Sequence, residues 1–160
     1  MARKIDTTAN AAPERFLDGY LPYLLGNASF AINKDFDRYV QAYGVTPLEW
    51  RVLATLVDED GMTVGDLARK VVALQPTLTK AIRKMEDSGL VERRSDSEDL
   101  RRTLAFITRQ GRTLCRKLID RALQHEEQWL RGFSSAEVKV LQRVLRLIVQ
   151  RGLAPHPFLD

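Results

Sequence analysis

The chain is poor in the residues that build reactive or cross-linked centres. Cys115 is the only cysteine in 160 residues, which excludes an internal disulfide framework and fits a reducing compartment. It lies within an apolar stripe, so the sequence predicts a buried core thiol, not a nucleophile or redox sensor. Histidine is nearly as scarce: His125 and His156 are the two present. Neither has an evident catalytic partner in sequence, and His125-Glu126-Glu127 is too sparse for a metal and reads as a solvated stretch. No enzyme activity, metal or cofactor is therefore expected. Long apolar runs are also missing, and none approaches the roughly 20 residues of a membrane span. Met1-Ala2-Arg3-Lys4 leads into polar residues, not an apolar signal core. A soluble, cytoplasmic protein without a membrane partner is expected. Repeats, low-complexity tracts and long linkers are absent from the sequence, so residues 1–160 read as a single domain. Nor is there a strong excess of one charge. Lys and Arg number 25 against 21 Asp and Glu, a net charge of +4, which permits a nucleic-acid partner without demanding one.

What is present is a series of helix signals in a telling order. Residues 1–12 are polar and without period and read as a tail. From about Pro13, Leu17, Tyr20, Leu21, Leu24, Ala28, Ile32, Phe36 and Val40 recur at helical spacing up to Gly44. That predicts one helix too long for a small domain to stabilise alone, and hence a partner surface. Thr46-Pro47-Leu48-Glu49 is a capping box with proline in the first turn, and Gly61 closes the helix it opens. This helix is apolar on two sides. Leu48, Val52 and Leu56 form one, and Trp50, Ala54 and Val57 the other, so it must be sandwiched. Thr63-Val64-Gly65-Asp66 and Gln75-Pro76-Thr77 start two further short helices, the second ending at Gly89. Two short helices with a tight connection read as a helix-turn-helix.

The period then changes. Residues 90–94 and 103–107 are strand-like, and Ser95 to Leu100 is polar and turn-rich, which predicts a β-hairpin with a charged tip. Thr108 caps a long helix carrying Leu114, Leu118, Ala122, Trp129 and Leu130. Ser134-Ser135-Ala136-Glu137 is another capping box, and the last helix runs to Gly152 before an irregular tail with Pro155 and Pro157.

The helix from Pro76 turns Leu78, Ala81, Ile82 and Met85 inward and leaves Gln75, Pro76, Thr77, Lys80, Arg83 and Lys84 on the opposite face. A helix fits the major groove of DNA, where Gln75 and Thr77 can read base edges, while Thr79, Lys80 and Lys84 suit phosphate. An isolated basic face would by default be solvated surface. The preceding helix and following hairpin are what favour DNA. On the hairpin, Arg101 and Arg102 stand beside Asp96, Glu98 and Asp99, and Arg suits a narrow minor groove. The competing reading is surface ion pairs worth at most about 1 kcal/mol each. Arg93 and Arg94 either contact flanking phosphates or keep the strand soluble.

Several segments in this order resemble the MarR family. They are Trp50-Arg51-Val52-Leu53, Thr63-Val64-Gly65-Asp66-Leu67-Ala68, Gln75-Pro76-Thr77-Leu78-Thr79-Lys80, Met85 to Arg93, Asp99-Leu100-Arg101 and Ile107-Thr108-Arg109-Gln110-Gly111. The resemblance covers about residues 16–150, with Leu100 a departure at the wing tip, where the family often has a charged or small residue. It implies a mainly α fold with a small β-hairpin wing. A winged helix-turn-helix of about residues 46–108 would sit between terminal helices, about 13–45 and 109–152, that form a dimerisation region. It also implies that Asp99 holds the hairpin while Arg101 enters the minor groove. The function implied is that of a homodimeric repressor on double-stranded DNA, released from a palindromic operator by a small effector. The alternative is a winged helix that binds protein. The family's effector pocket lies where Tyr20, Tyr23, Asn27, Trp50 and Arg51 could line it. Flat walls, one amide and one cation suit an aromatic acid or its thioester. The other reading of these aromatics is plain core.

Overall fold

The computed structural model describes residues 15–97, 99 and 101–153. Expectations for the tails, for the helix start at Pro13, and for Glu98, Leu100, Pro155, His156 and Pro157 lie outside the described residues. Contacts divide the chain into two units, Met1–Asp35 and Phe36–Asp160.

In the first unit the expected single helix is two. Helix α1 covers Phe16–Gly19 and α2 covers Leu21–Ala42, which continues into the second unit. Tyr20 interrupts them with extended dihedrals, φ −82° and ψ 104°. The physical reason is Pro22, which lacks the N–H that would bond to Asp18 and whose ring would strike that carbonyl in a continuous helix. The Tyr20 carbonyl instead accepts from Tyr23 and Leu24 N–H at 3.0 and 3.1 Å, opening α2. The rings of Phe16 and Tyr20 stack with centroids 4.9 Å apart.

The second unit holds the core. After the end of α2 come α3 (Pro47–Asp58), β1 (Met62–Thr63), α4 (Val64–Lys70), α5 (Gln75–Asp87), β2 (Val91–Ser95), β3 (Thr103–Ile107), α6 (Arg109–Trp129) and α7 (Ser135–Leu153). The capping box at Thr46 forms as its sequence dictates: Glu49 N–H donates to Thr46 Oγ1 at 3.2 Å, and Thr46 N–H donates to Glu49 Oε2 at 2.7 Å. Helix α3 is the sandwiched helix, touching α4, α5, β3 and α6. It buries Val52, Leu53 and Leu56, while Trp50, Ala54 and Val57 pack half-buried against the same core. Phe36, Val40, Leu67, Leu78, Ile82, Met85, Cys115 and Leu118 complete that core from the other helices. Each such large side chain contributes about 1.5–3 kcal/mol by leaving water.

The hairpin of β2 and β3 is antiparallel, with Val91 opposite Ile107 and Ser95 opposite Thr103. A third strand was not expected. β1 pairs with β3, Met62 opposite Ala105, giving the order β1-β3-β2. Gly61 makes this approach possible. It has φ +71°, and a Cβ there would stand 2.7 Å from the Phe106 ring. Asp60 locks the junction, accepting from Ile107 N–H at 2.9 Å and pairing with Arg112 of α6 at 2.5 Å. Thr108 caps α6 through Gly111 N–H at 3.0 Å and donates to the Gly89 carbonyl at 2.7 Å. Position 111 admits only glycine, since a Cβ would lie 2.1 Å from the Leu90 carbonyl oxygen. These bonds fix the wing to the end of α5 before either meets a partner. Helix α7, opened by the Ser134–Glu137 capping box, leaves Val140, Leu141, Val144, Leu145 and Ile148 exposed. Among the described residues no helix is long and apolar enough to cross a membrane.

Candidate nucleic-acid interface

Helices α4 and α5 are the expected pair. Thr63 caps α4, accepting from Asp66 N–H at 3.1 Å and donating to the Asp66 carboxylate at 2.5 Å. That bond, with Arg69 and Arg102 nearby, holds the Asp66 carboxyl below its usual range. The chain then turns sharply through Val72, whose φ is +52°. Helix α5 starts at Gln75 with Leu74 as its N-cap and no side-chain cap bond. It turns Leu78, Ile82 and Met85 inward and ends at Gly89, φ +70°, where Leu90 N–H returns to the Met85 carbonyl at 2.9 Å. Gln75, Pro76, Thr77, Lys80, Arg83 and Lys84 are exposed, as their spacing requires. Thr79 is half-buried, and its hydroxyl donates to the Gln75 carbonyl at 2.8 Å.

Between α5 and the wing lies a cleft of about 400 Å³. Its α5 wall is Gln75, Thr79, Ile82 and Arg83. Its opposite wall is Arg93, Arg101, Arg102 and Thr103, and its floor is Thr63, Val64 and Gly65 at the start of α4. Four arginines thus converge on one concavity. The wing tip is braced from within. Asp99 accepts from Arg101 N–H at 3.0 Å through its side chain and from Arg102 N–H at 2.8 Å through its carbonyl, while Arg102 Nε stands 3.6 Å from Asp96. The Arg101 side chain is exposed.

Arg93 and Arg94 differ. Arg93 is tied to α5: its backbone N–H and its Nε both donate to Glu86, at 3.1 and 2.7 Å, which lowers the Glu86 carboxyl below its usual range. Arg94 pairs with Glu92 and lies over the Phe106 ring at 4.5 Å. Lys84 also has an intramolecular partner. Its Nζ is 3.0 Å from Glu49 Oε1, and Glu49 is only 3% exposed. One buried carboxylate therefore joins the start of α3 to the exposed face of α5. Local pattern identified Glu49 as a capping residue but held no signal of this second bond.

The candidate effector residues lie in both units. Tyr20, Tyr23 and Asn27 are exposed residues of the first, with Tyr23 and Asn27 one turn apart on α2. Trp50 and Arg51 open α3 in the second. Trp50 is half-buried, edge-on to Phe36 with ring centroids 5.6 Å apart, and Arg51 is exposed. His125 joins the ring contacts of Trp50 and Phe36, whereas Glu126 and Glu127 are exposed as the solvated reading of that segment has them. His125 is half-buried, 5.5 Å from the Phe36 ring, and its Nε2 accepts from Trp129 Nε1 at 3.1 Å. The four-residue spacing of His125 and Trp129 on one helix was the missed signal.

The sequence pattern of the MarR family matches residues 45–103, the segment that forms α3, the helix-turn-helix and the wing strand β2. A MarR family regulator of known structure from Silicibacter pomeroyi DSS-3 is 32% identical. The match covers 85% of this chain and 99% of that one, with a TM-score of 0.74. The chain belongs to the MarR family of transcriptional regulators. Among its relatives, the transcriptional activatory protein BadR of Rhodopseudomonas palustris is 36% identical over 70% of this chain and 66% of its own, just under two thirds of its length. The homoprotocatechuate degradative operon repressor of Escherichia coli is 26% identical over 73% of this chain and 79% of its own. MarR-family members are DNA-binding regulators and not enzymes, and the mainly helical fold with its small antiparallel sheet is theirs.

Proposed function

We propose that this MarR-family protein acts as a homodimeric repressor. Two α5–wing faces would hold a near-palindromic operator, which is released when a small aromatic carboxylate binds. The observation that carries the DNA contact is the arginine-lined cleft between α5 and the wing. With α5 in the major groove and Arg101 in the adjacent minor groove, the phosphate ridge between the grooves falls in that cleft. Gln75 and Thr77, with Pro76 between them, face base edges. Lys80, Arg83, Lys84, Arg94 and Arg102 supply sequence-independent attraction to phosphate. Thr79 reaches phosphate only by giving up its bond to the Gln75 carbonyl. Two-fold symmetry then sets half-sites about 10 bp apart.

The effector reading rests on Trp50 and Arg51 at the head of α3, which offer a half-buried aromatic ring and an exposed forked cation. Tyr20, Tyr23 and Asn27 enter it on their spacing and chemistry. By residue chemistry alone these side chains suit an aromatic acid or its thioester, and a relative named as a repressor of a homoprotocatechuate degradative operon favours the aromatic class. A ligand here changes DNA affinity only by as much as it prefers one spacing of the two recognition helices over another.

The test is direct. Duplexes are selected from a randomised library by the full chain, and binding is followed by anisotropy at several salt concentrations. Simple aromatic acids and their thioesters are then titrated while Trp fluorescence and DNA release are recorded. Salt-dependent, sequence-selective binding is expected, with release by at least one acid and loss of that response in Arg51→Ala. Failure to select any duplex would favour the protein-binding alternative. A panel that neither perturbs fluorescence nor releases DNA would make the aromatics plain core. Expression of adjacent genes should rise on deletion, and a fall would assign the activating role that BadR carries in its name.

A further inference from the structure

The turn into α5 contains two choices that local physics disfavours. Val72 is β-branched and sits at φ +52°, where branched side chains are most strained, yet it remains 70% exposed and so gains little from burial. Leu74 is the N-cap of α5, 77% exposed, with no side-chain bond to the helix. Helices α3, α4, α6 and α7 are capped by side-chain oxygens, at Thr46, Thr63, Thr108 and Ser134, and apart from Leu74 only Arg15, before the four-residue α1, is an N-cap described without such a bond. A residue that breaks a local rule with no compensation inside the fold is expected at a functional or strained site, and Leu74 is exposed at one end of the proposed DNA-facing helix.

The position says which partner. Leu74 stands at the end of the helix that enters the groove, next to Gln75, and its side chain is exposed there. The arginine cleft flanks the same end and draws the phosphate ridge toward it. The Leu74 side chain can neither donate nor accept a hydrogen bond, and its carbonyl is taken by Leu78 N–H at 3.0 Å, so the side chain cannot read the polar pattern of a base edge. Thymine alone presents an apolar group in the major groove, its C5-methyl. We propose that Leu74 reads a thymine C5-methyl in each half-site of the operator. The proposal rests on the DNA-binding reading above and adds to it a specificity-determining residue.

The test removes one methyl at a time. In a duplex selected by the full chain, each thymine is replaced in turn by deoxyuridine, which keeps every hydrogen-bonding group and deletes only the methyl. For the wild-type chain, one position per half-site should weaken binding about four-fold, the cost of exposing one methyl group. Leu74→Ala should bind the unmodified duplex more weakly by a similar factor and be indifferent to deoxyuridine at that position. Leu74→Ser, which supplies the missing cap and so folds at least as well, should show the same indifference. Equal sensitivity to every deoxyuridine in wild type and both variants would overturn the assignment. So would a wild-type chain that binds its duplex selectively with no methyl dependence, while leaving the DNA reading intact. If no duplex is selected at all, both readings fall.

Discussion

Cys115 has no exposed surface. Burial pushes its thiol up to about 11, with Asp58 adding to the rise and Arg112 opposing it. The thiolate is the reactive form, so the native chain should resist iodoacetamide at pH 8 and be modified only at the rate of unfolding. Mass spectrometry with and without denaturant checks this, and rapid native labelling would return a redox role to consideration. The linkage has a definite sign. The folded pKa lies above the unfolded value near 9.0, so the thiol's contribution to stability is complete below pH 9 and lost as pH rises toward 11. At this scale the sequence was legible where a residue's fate follows its stripe, as for Cys115, Leu118 and Ile82. It was illegible where a partner distant in sequence decides. Glu49 reads as a cap, and only folding brings Lys84 of α5 to its second oxygen.

That ion pair makes α5 more than a DNA-facing helix. An ammonium has three donors, so Lys84 can hold Glu49 and still meet a phosphate. Lys84→Ala should therefore show two effects. Stability should fall by about 1 kcal/mol, a modest loss because the Lys84 side chain is 61% exposed and Glu49 keeps its bond to Thr46. The salt dependence of DNA binding should also flatten by about one phosphate contact, similarly on all sequences. Arg101→Ala should leave stability unchanged and lose affinity most on duplexes with A·T-rich flanks, where the minor groove is narrow. Thermal melting and anisotropy against a set of flanks separate the two, and an Arg101→Ala chain of unchanged affinity on every flank would remove the wing from the interface. Elements were legible where a side-chain cap marks the start, as for α3, α4, α6 and α7, and where a glycine follows the end, as Gly61 after α3 and Gly89 after α5; α7 instead runs through the expected stop at Gly152 to Leu153. Two features escaped. The apolar stripe from Leu17 to Val40 continues through Pro22 although the backbone cannot. β1 is too short, at two residues, to show any period, and it exists only because Gly61 and Asp60 bring it to β3.

The whole molecule is where the apolar surface fails to close. Helix α7 exposes Val140, Leu141, Val144, Leu145 and Ile148, spaced three and four apart along one helix, and it makes no extensive contact with another element among the described residues. A small chain rarely leaves such a stripe to water, and a second copy can cover it isologously. The charge flanking this stripe is mostly basic, Lys139, Arg143, Arg146 and Arg151, so the apolar residues, not ion pairing between identical helices, must drive any association. Leu141→Glu with Leu145→Glu would place two carboxylates in the seam without touching the buried core, which ends at Leu118 in sequence. Sedimentation at micromolar concentration should show a dimer for the wild type and a monomer for the double variant, with a far-UV circular dichroism spectrum that stays predominantly helical. Operator affinity should then fall about 100-fold or more, because a linked second half-site acts at high effective concentration and an unlinked one does not. A monomeric wild type that binds a palindromic duplex tightly, or a double variant that stays dimeric, would place the dimer contact elsewhere than on α7.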